Sequence, residues 1–148
     1  MNFKHISLLA IVLTSCTASV STKTPIVGTW KLISGTVTSN GKTTVTDYTK
    51  DRSFIKVINN THFAFMLHDL NGGKDSTSAV YSSGGGKYEL DGDKYTEHLE
   101  YCSDRQWEGH DFSFKITIRN DTLVQQGIEE VESAGVSQMN IEKYVRVK

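Results

Sequence analysis

The chain has 148 residues, and its 16 basic and 17 acidic side chains give a formal net charge of −1. Because a protein that binds a phosphate backbone normally carries a cluster of Lys and Arg, this balance argues against a nucleic-acid partner. One proline and twelve glycines exclude collagen-like and low-complexity compositions. The length favours a single domain with one buried core.

The N-terminal residues 1–15 have the pattern of a signal peptide. Lys4 supplies a positive charge, and residues 6–13 form an apolar run. That run is shorter than the roughly 20 residues that a transmembrane helix needs. We therefore expect a targeting segment here, and we do not expect a membrane-spanning one.

The stretch "LTSC", which ends at Cys16, resembles the lipobox of bacterial lipoproteins. The resemblance implies cleavage before Cys16, lipidation of its sulfur and acylation of its new amino group. Several acyl chains together would give a stable membrane anchor. Thr17 in place of Asp implies, by the sorting rule of enteric lipoproteins, an outer-membrane location in the cell envelope. Residues 16–25 would then comprise the lipidated cysteine and a flexible polar tether.

An alternative reading concerns the second cysteine of the chain. If the protein is secreted without a lipid anchor, Cys16 and Cys102 could pair as a disulfide. If Cys16 is lipidated, Cys102 is a lone, partly buried thiol. The two interpretations therefore predict either a Cys16–Cys102 disulfide or a lipidated Cys16 with a free Cys102 thiol.

From residue 26 onward the apolar residues follow the period of two that is typical of strands. Segments rich in β-branched and aromatic residues alternate with Gly, Asn and Asp. This pattern predicts eight strands, at about 28–36, 53–59, 62–68, 79–90, 95–102, 111–119, 122–128 and 140–147. No helical period of comparable length occurs, so we expect an all-β domain over residues 26–148.

The connections between these strands alternate in length. Compact turns are expected at 58–62, 90–95 and 118–123, and longer loops at 37–52, 69–78, 103–110 and 129–139. In an antiparallel meander this places all tight turns at one end and all long loops at the other. Eight such strands can close into an up-and-down barrel, which removes exposed sheet edges and can hold one small ligand. We therefore expect the mouth at the long-loop end and a solvated acidic loop at 129–132.

The motif "GTW", Gly28 to Trp30, opens the first strand, and "EKYVRVK" places Arg146 on the last. This pair resembles the lipocalin signature, and the resemblance covers nearly all of residues 27–148. It implies a calycin-type barrel like those of small bacterial lipoproteins, in which the arginine stacks on the tryptophan and closes the barrel. The second lipocalin motif, Thr-Asp-Tyr, is missing from the late hairpin, and the domain is short for the family.

Strand alternation predicts which side chains face the interior. With Trp30 inward, the interior would be aromatic and would contain the carboxylates Glu97 and Glu142. On the strand at 122–128, Leu123 with Gln125 and Val124 with Gln126 are equally suited to face inward. Among the inward residues, those predicted to contact a ligand are Phe65, Tyr88, Tyr95, Glu97, Tyr101, Phe114 and Tyr144. Glu97 is expected to orient the polar end of the ligand, or else to complete a filled core.

Patterns for catalysis and for metal binding are missing from the sequence. The histidines lack metal-ligand spacing, and there is no Gly-x-Ser-x-Gly elbow. We therefore predict no catalytic residue, no metal and no cofactor, although an isomerase-like reaction at Glu97 stays an alternative.

The leading hypothesis is a monomeric, lipid-anchored, lipocalin-like protein that binds a small apolar or amphipathic ligand. The other alternative is an interaction lipoprotein with a filled barrel. A cavity of roughly 300 Å³ or more would favour the first.

Overall fold

The computed structural model describes residues 26–148, which form nine β-strands and one short 3₁₀ turn. The strands are β1 (Gly28–Ser39), β2 (Lys42–Asp47), β3 (Arg52–Ile58), β4 (His62–Asp69), β5 (Tyr81–Asp91), β6 (Lys94–Cys102), β7 (His110–Arg119), β8 (Thr122–Val131) and β9 (Val136–Arg146). The 3₁₀ turn spans Glu132–Ala134. The predicted signal peptide, the lipidated Cys16 and the tether lie outside the described residues.

The strands form a closed antiparallel barrel. Strands β3 to β9 follow one another as a meander, and β9 pairs with β1 over the range from Trp30↔Arg146 to Thr38↔Met139. The wall therefore consists of eight strands, β1 and β3 to β9. The all-β, eight-stranded up-and-down barrel expected from the sequence is confirmed.

Strand β2 lies within residues 37–52, for which the sequence predicts a long loop. It pairs with the second half of β1, from Ser34↔Asp47 to Ser39↔Lys42, whereas β3 pairs only with the first half. Directly after β2, the Tyr48 ring packs edge-on against Phe54 of β3, with ring centroids 6.0 Å apart. Tyr48 thus covers the point along β1 at which pairing with β3 ends and pairing with β2 begins. Five of the six residues of β2 are exposed and the sixth is half-exposed. Because the strand has no buried apolar face, its pattern does not stand out in the sequence.

The predicted loop at 129–139 is also wrong. Strands β8 and β9 continue to the pair Val131↔Val136 and are joined only by the 3₁₀ turn. Glu129 is therefore not in a solvated acidic loop. It lies on β8, where Gln138 and Asn140 of β9 donate hydrogen bonds of 2.8 Å to its carboxylate. The acidic residues Glu129, Glu130 and Glu132 suggested a solvated loop. They hid a strand whose side chains point alternately to the interior and to the solvent.

A β-bulge interrupts the β5–β6 ladder. Gly85 pairs with Tyr101, but Gly86 pairs with Leu99, so β6 has one extra residue at this point. Since an extra residue shifts the alternation of side chains, Tyr101 points outward and is 68% exposed, while Cys102 turns toward the interior. The predicted inward position of Tyr101 is wrong for this reason. A Cβ on Gly86 would collide with the backbone of His98 and Glu100.

The tight-turn end of the barrel is closed by the first and last strands. The guanidinium of Arg146 lies 4.1 Å from the centroid of the fully buried Trp30 ring and donates a hydrogen bond of 2.9 Å to the Val27 carbonyl. The Trp30 indole in turn donates to the Ile26 carbonyl at 2.7 Å. Gly28 has φ of 153° and touches the arginine so closely that a Cβ would collide with its guanidinium. The structure thus brings the three predicted closure residues together.

Candidate functional site

A cavity of about 250 Å³ lies inside the barrel, toward the end that carries the longer connections. This is slightly less than the volume that we took to favour ligand binding, so any ligand is small. Its walls come from β3 to β9 and from the segment between β6 and β7. The lining residues are Phe54, Lys56, Phe65, Ser82, Glu97, Leu99, Cys102, Asp104, Trp107, Phe112, Phe114, Gln125, Glu129 and Glu142.

A buried ion pair lies at the inner end of this cavity. Lys56 of β3, only 2% exposed, donates a hydrogen bond of 2.7 Å to Glu97 of β6 and one of 3.1 Å to the Gln125 side-chain oxygen of β8. Glu142 of β9 lies 4.0 Å from the same ammonium. Four strands thus each contribute one polar group to a single cluster, in which Glu97 is tied to a lysine.

The charges of this cluster stabilise one another. Burial alone would lower the pKa of Lys56, but the carboxylates of Glu97 and Glu142 outweigh that effect, and the pKa is raised. Lys56 is therefore an ammonium at neutral pH. Burial raises the pKa of Glu97, and the ammonium opposes this effect. The pair satisfies the rule that a buried charge needs a partner and hydrogen bonds.

Two further carboxylates face the cavity without a close ion pair. Glu142 accepts a hydrogen bond of 2.7 Å from the Tyr144 hydroxyl, and its distance to Lys56 is at the limit of an ion pair. Glu129 accepts hydrogen bonds only from the amides of Gln138 and Asn140 within residues 26–148. Burial is the main cause that raises the pKa of Glu129, and the negative charges of Glu142 and Glu97 add to it.

Aromatic side chains form the rest of the wall. Phe54 and Phe65 stack with centroids 5.6 Å apart and planes 9° from parallel. On the other side, Trp107 of the β6–β7 connection packs 5.6 Å from Phe112. The cavity is therefore a small aromatic space with ionised groups at its inner end and along one side, which is the composition typical of small-molecule sites.

The predicted ligand-contact residues separate into three groups. Phe65, Glu97 and Phe114 line the cavity. Tyr88, Tyr95 and Tyr144 are inside the barrel but outside the cavity lining: Tyr88 donates to the Asn59 carbonyl in a tight turn, and Tyr95 packs 5.3 Å from Tyr88. Tyr101 is outside the barrel because of the bulge. Ligand contact stays a prediction for the first group.

The inward position of Lys56 was not predicted, although the pattern of β3 indicates it. Phe54, Lys56 and Ile58 alternate on one face of β3, so a lysine between two apolar neighbours should have been placed inside. Trp107 carried no strand pattern, because it lies in a connection. Of the two alternatives on β8, the structure selects Leu123 and Gln125, which are 0% and 2% exposed.

No group of three His, Cys, Asp or Glu side chains within residues 26–148 is arranged to hold a metal ion. In the same range, no helix has the length and hydropathy required to cross a bilayer.

The fold and its cavity define a closed, eight-stranded up-and-down β-barrel with a small internal site. No family model matches the chain, and a search of curated proteins found no match. Among solved structures, a single-substitution mutant of the fluorescent protein UnaG is similar, with 12% identity and a TM-score of 0.39. The match covers 84% of this chain and 97% of that one. At this level, the similarity supports no conclusion about a ligand.

Proposed function

We propose that this protein binds one small, partly apolar molecule inside its barrel. The observation that carries the proposal is the cavity of about 250 Å³ with aromatic walls and a polar inner end. A barrel whose interior is completely filled, the alternative function, would leave no such space. Empty volume lined by buried polar groups costs stability. A bound ligand would fill the volume and restore part of the lost contacts.

Binding would use the aromatic walls for affinity and the polar groups for orientation. Phe54, Phe65 and Trp107 offer flat apolar surfaces, while the Lys56–Glu97 pair is held rigidly by Gln125. Since rigid, preformed groups lose little entropy when a ligand arrives, a small molecule can bind with useful affinity.

We further propose that the barrel is attached to the outer membrane through lipidated Cys16. This part rests on the lipobox-like "LTSC" and on the polar residues 16–25. The tether would hold the domain near the membrane and leave the mouth of the barrel free. Cys102 would then not form a disulfide with Cys16, in keeping with its position at the cavity wall.

Native mass spectrometry of the full chain tests the lipid anchor. We expect a mass increase equal to the acyl groups on the wild type and none on Cys16→Ser. A wild-type protein that is processed but carries no acyl group would contradict the anchor.

Titration of the full chain with small neutral aromatics such as 2-phenylethanol tests the cavity. We expect a saturable change in the fluorescence of Trp107, matched by calorimetry and abolished by Ser82→Phe, which fills the space. Lys87→Ala on the outer face of β5 is the control and should bind normally. If neither the neutral compounds nor charged compounds of the same size bind, the proposed binding function is wrong.

A further inference from the structure

The charges that line the cavity are unbalanced. Four acidic side chains, those of Glu97, Glu129, Glu142 and Asp104, face it, and Lys56 is the one basic side chain in the lining. Even without Asp104, which lies at the exposed rim, three carboxylates share one ammonium. Uncompensated negative charge is energetically unfavourable in a cavity with largely apolar walls.

The ammonium of Lys56 is already committed. It is bound to Glu97 at 2.7 Å and to Gln125 at 3.1 Å, which leaves Glu142 at 4.0 Å. Within residues 26–148, no Lys, Arg or His nitrogen forms an ion pair with Glu129, whose hydrogen-bond partners are neutral amides. Glu129 and Glu142 are thus the two acceptors that remain available to a positively charged guest.

The aromatic walls favour the same kind of guest. The faces of aromatic rings attract cations, and the attraction is larger in a space from which water is excluded. Phe54 and Phe65 on one side and Trp107 and Phe112 on the other form two such surfaces. An anionic guest would instead meet Glu129 and Glu142, and it would have to displace Glu97 to reach Lys56.

From these observations we propose that the ligand is a small organic cation, a protonated amine on a compact aromatic or apolar body. The amine lies between Glu129 and Glu142, and the body fills the space between the two aromatic surfaces. This inference rests on the proposed binding function and narrows it to one class of ligand. It also separates this barrel from barrels that would hold fatty acids or other apolar anions.

Three probes that share one ring and differ in charge test the inference. Calorimetric titration of the full chain with 2-phenylethylamine, 2-phenylethanol and phenylacetate compares a cation, a neutral molecule and an anion. We expect the amine to bind at least about tenfold more tightly than the alcohol, and the anion most weakly. Equal affinities, or tighter binding of phenylacetate, would overturn the cation inference and leave barrel binding intact. Binding of none of the three would overturn the proposed function together with the cation inference.

Two variants test whether the Glu129 carboxylate is responsible for the preference for the amine. Glu129→Gln should lower the ratio of amine to alcohol affinity by about tenfold. Glu130→Gln removes the same charge from the next, exposed position of β8, and it should leave the ratio unchanged. Circular dichroism and thermal unfolding confirm that both variants are folded. An unchanged ratio in folded Glu129→Gln would show that the amine does not use this carboxylate.

Discussion

Lys56 and Glu97 form an ion pair of 2.7 Å across the interior of the barrel, from β3 to β6. The lysine side chain is 3% exposed and the glutamate 9%. Three aromatic rings, those of Phe63, Tyr95 and Tyr144, lie within 5.4 to 6.0 Å of the ammonium. The centre of this barrel is therefore ionic, and its stability depends on both charges being present together.

Removal of one partner should cost more than removal of both. Lys56→Met leaves buried carboxylates without a cation, and we expect a loss of about 3–5 kcal/mol in the free energy of unfolding at neutral pH. The double variant Lys56→Met/Glu97→Gln should be more stable than the single variant. Urea denaturation of the two single variants and the double variant forms a thermodynamic cycle. Additive effects would show that the two charges are not coupled.

The stability of Lys56→Met should also depend on pH. Without the ammonium, the pKa of Glu97 rises further, so the folded state binds more protons than the unfolded state above pH 4.5. The free energy of unfolding then falls as the pH rises, and acidification should restore part of it. Denaturation midpoints measured between pH 5 and 8 check this. A constant difference from the wild type would contradict the assignment.

Glu129→Gln should stabilise the protein at neutral pH. Because burial raises the pKa of Glu129 above its ordinary value of 4.5, the folded state binds more protons than the unfolded state between 4.5 and the raised value. Stability is therefore lost as the pH rises through that window. The variant should be more stable than the wild type above the window and equally stable below pH 4.5. Thermal unfolding at several pH values measures this, with Glu130→Gln as the control.

Gly86→Ala should strongly destabilise the barrel. Its Cβ would meet the backbone of His98 and Glu100, which cannot move without breaking the β5–β6 ladder, so we expect a loss of about 3 kcal/mol. Lys87→Ala, one residue further and exposed, should change stability by less than about 0.5 kcal/mol. Equal denaturation midpoints for the two variants would show that the bulge adapts easily.

Arg146→Lys should weaken the closed end of the barrel. Lysine keeps the positive charge but loses the flat group that lies over Trp30 and donates to the Val27 carbonyl. We expect a loss of about 1–2 kcal/mol in the free energy of unfolding. Arg119→Lys at the exposed end of β7 is the matched control. Guanidinium denaturation of both variants separates stacking from charge.

Much of the barrel could be predicted because each wall strand shows one face to the core and one to water. The alternation of residues such as Phe112, Phe114 and Ile116 indicates both the strand and the face that each side chain occupies. Positions after the bulge could not be predicted in this way. The extra residue opposite Gly85 and Gly86 reverses the pattern, so Tyr101 and Cys102 exchanged faces.

The charged interior was harder to predict for a different reason. Polarity normally indicates exposure, and a buried lysine is stabilised only by partners that are distant in sequence. Lys56 meets Glu97, 41 residues away, and Gln125, 69 residues away. The closed barrel must be known before these three side chains can be placed together.

Strand β1 changes partner along its length, from β3 to β2. At this point one part of the barrel wall has no inter-strand hydrogen-bond ladder. Residues 52–54 of β3 extend beyond the pairing with β1, and the half-buried Tyr48 ring, seated against Gly35, covers the gap. Here the wall can part sideways without the loss of any inter-strand ladder. An opening at this point would therefore disturb the packing of one phenol ring, whereas an opening elsewhere in the wall would break an inter-strand ladder.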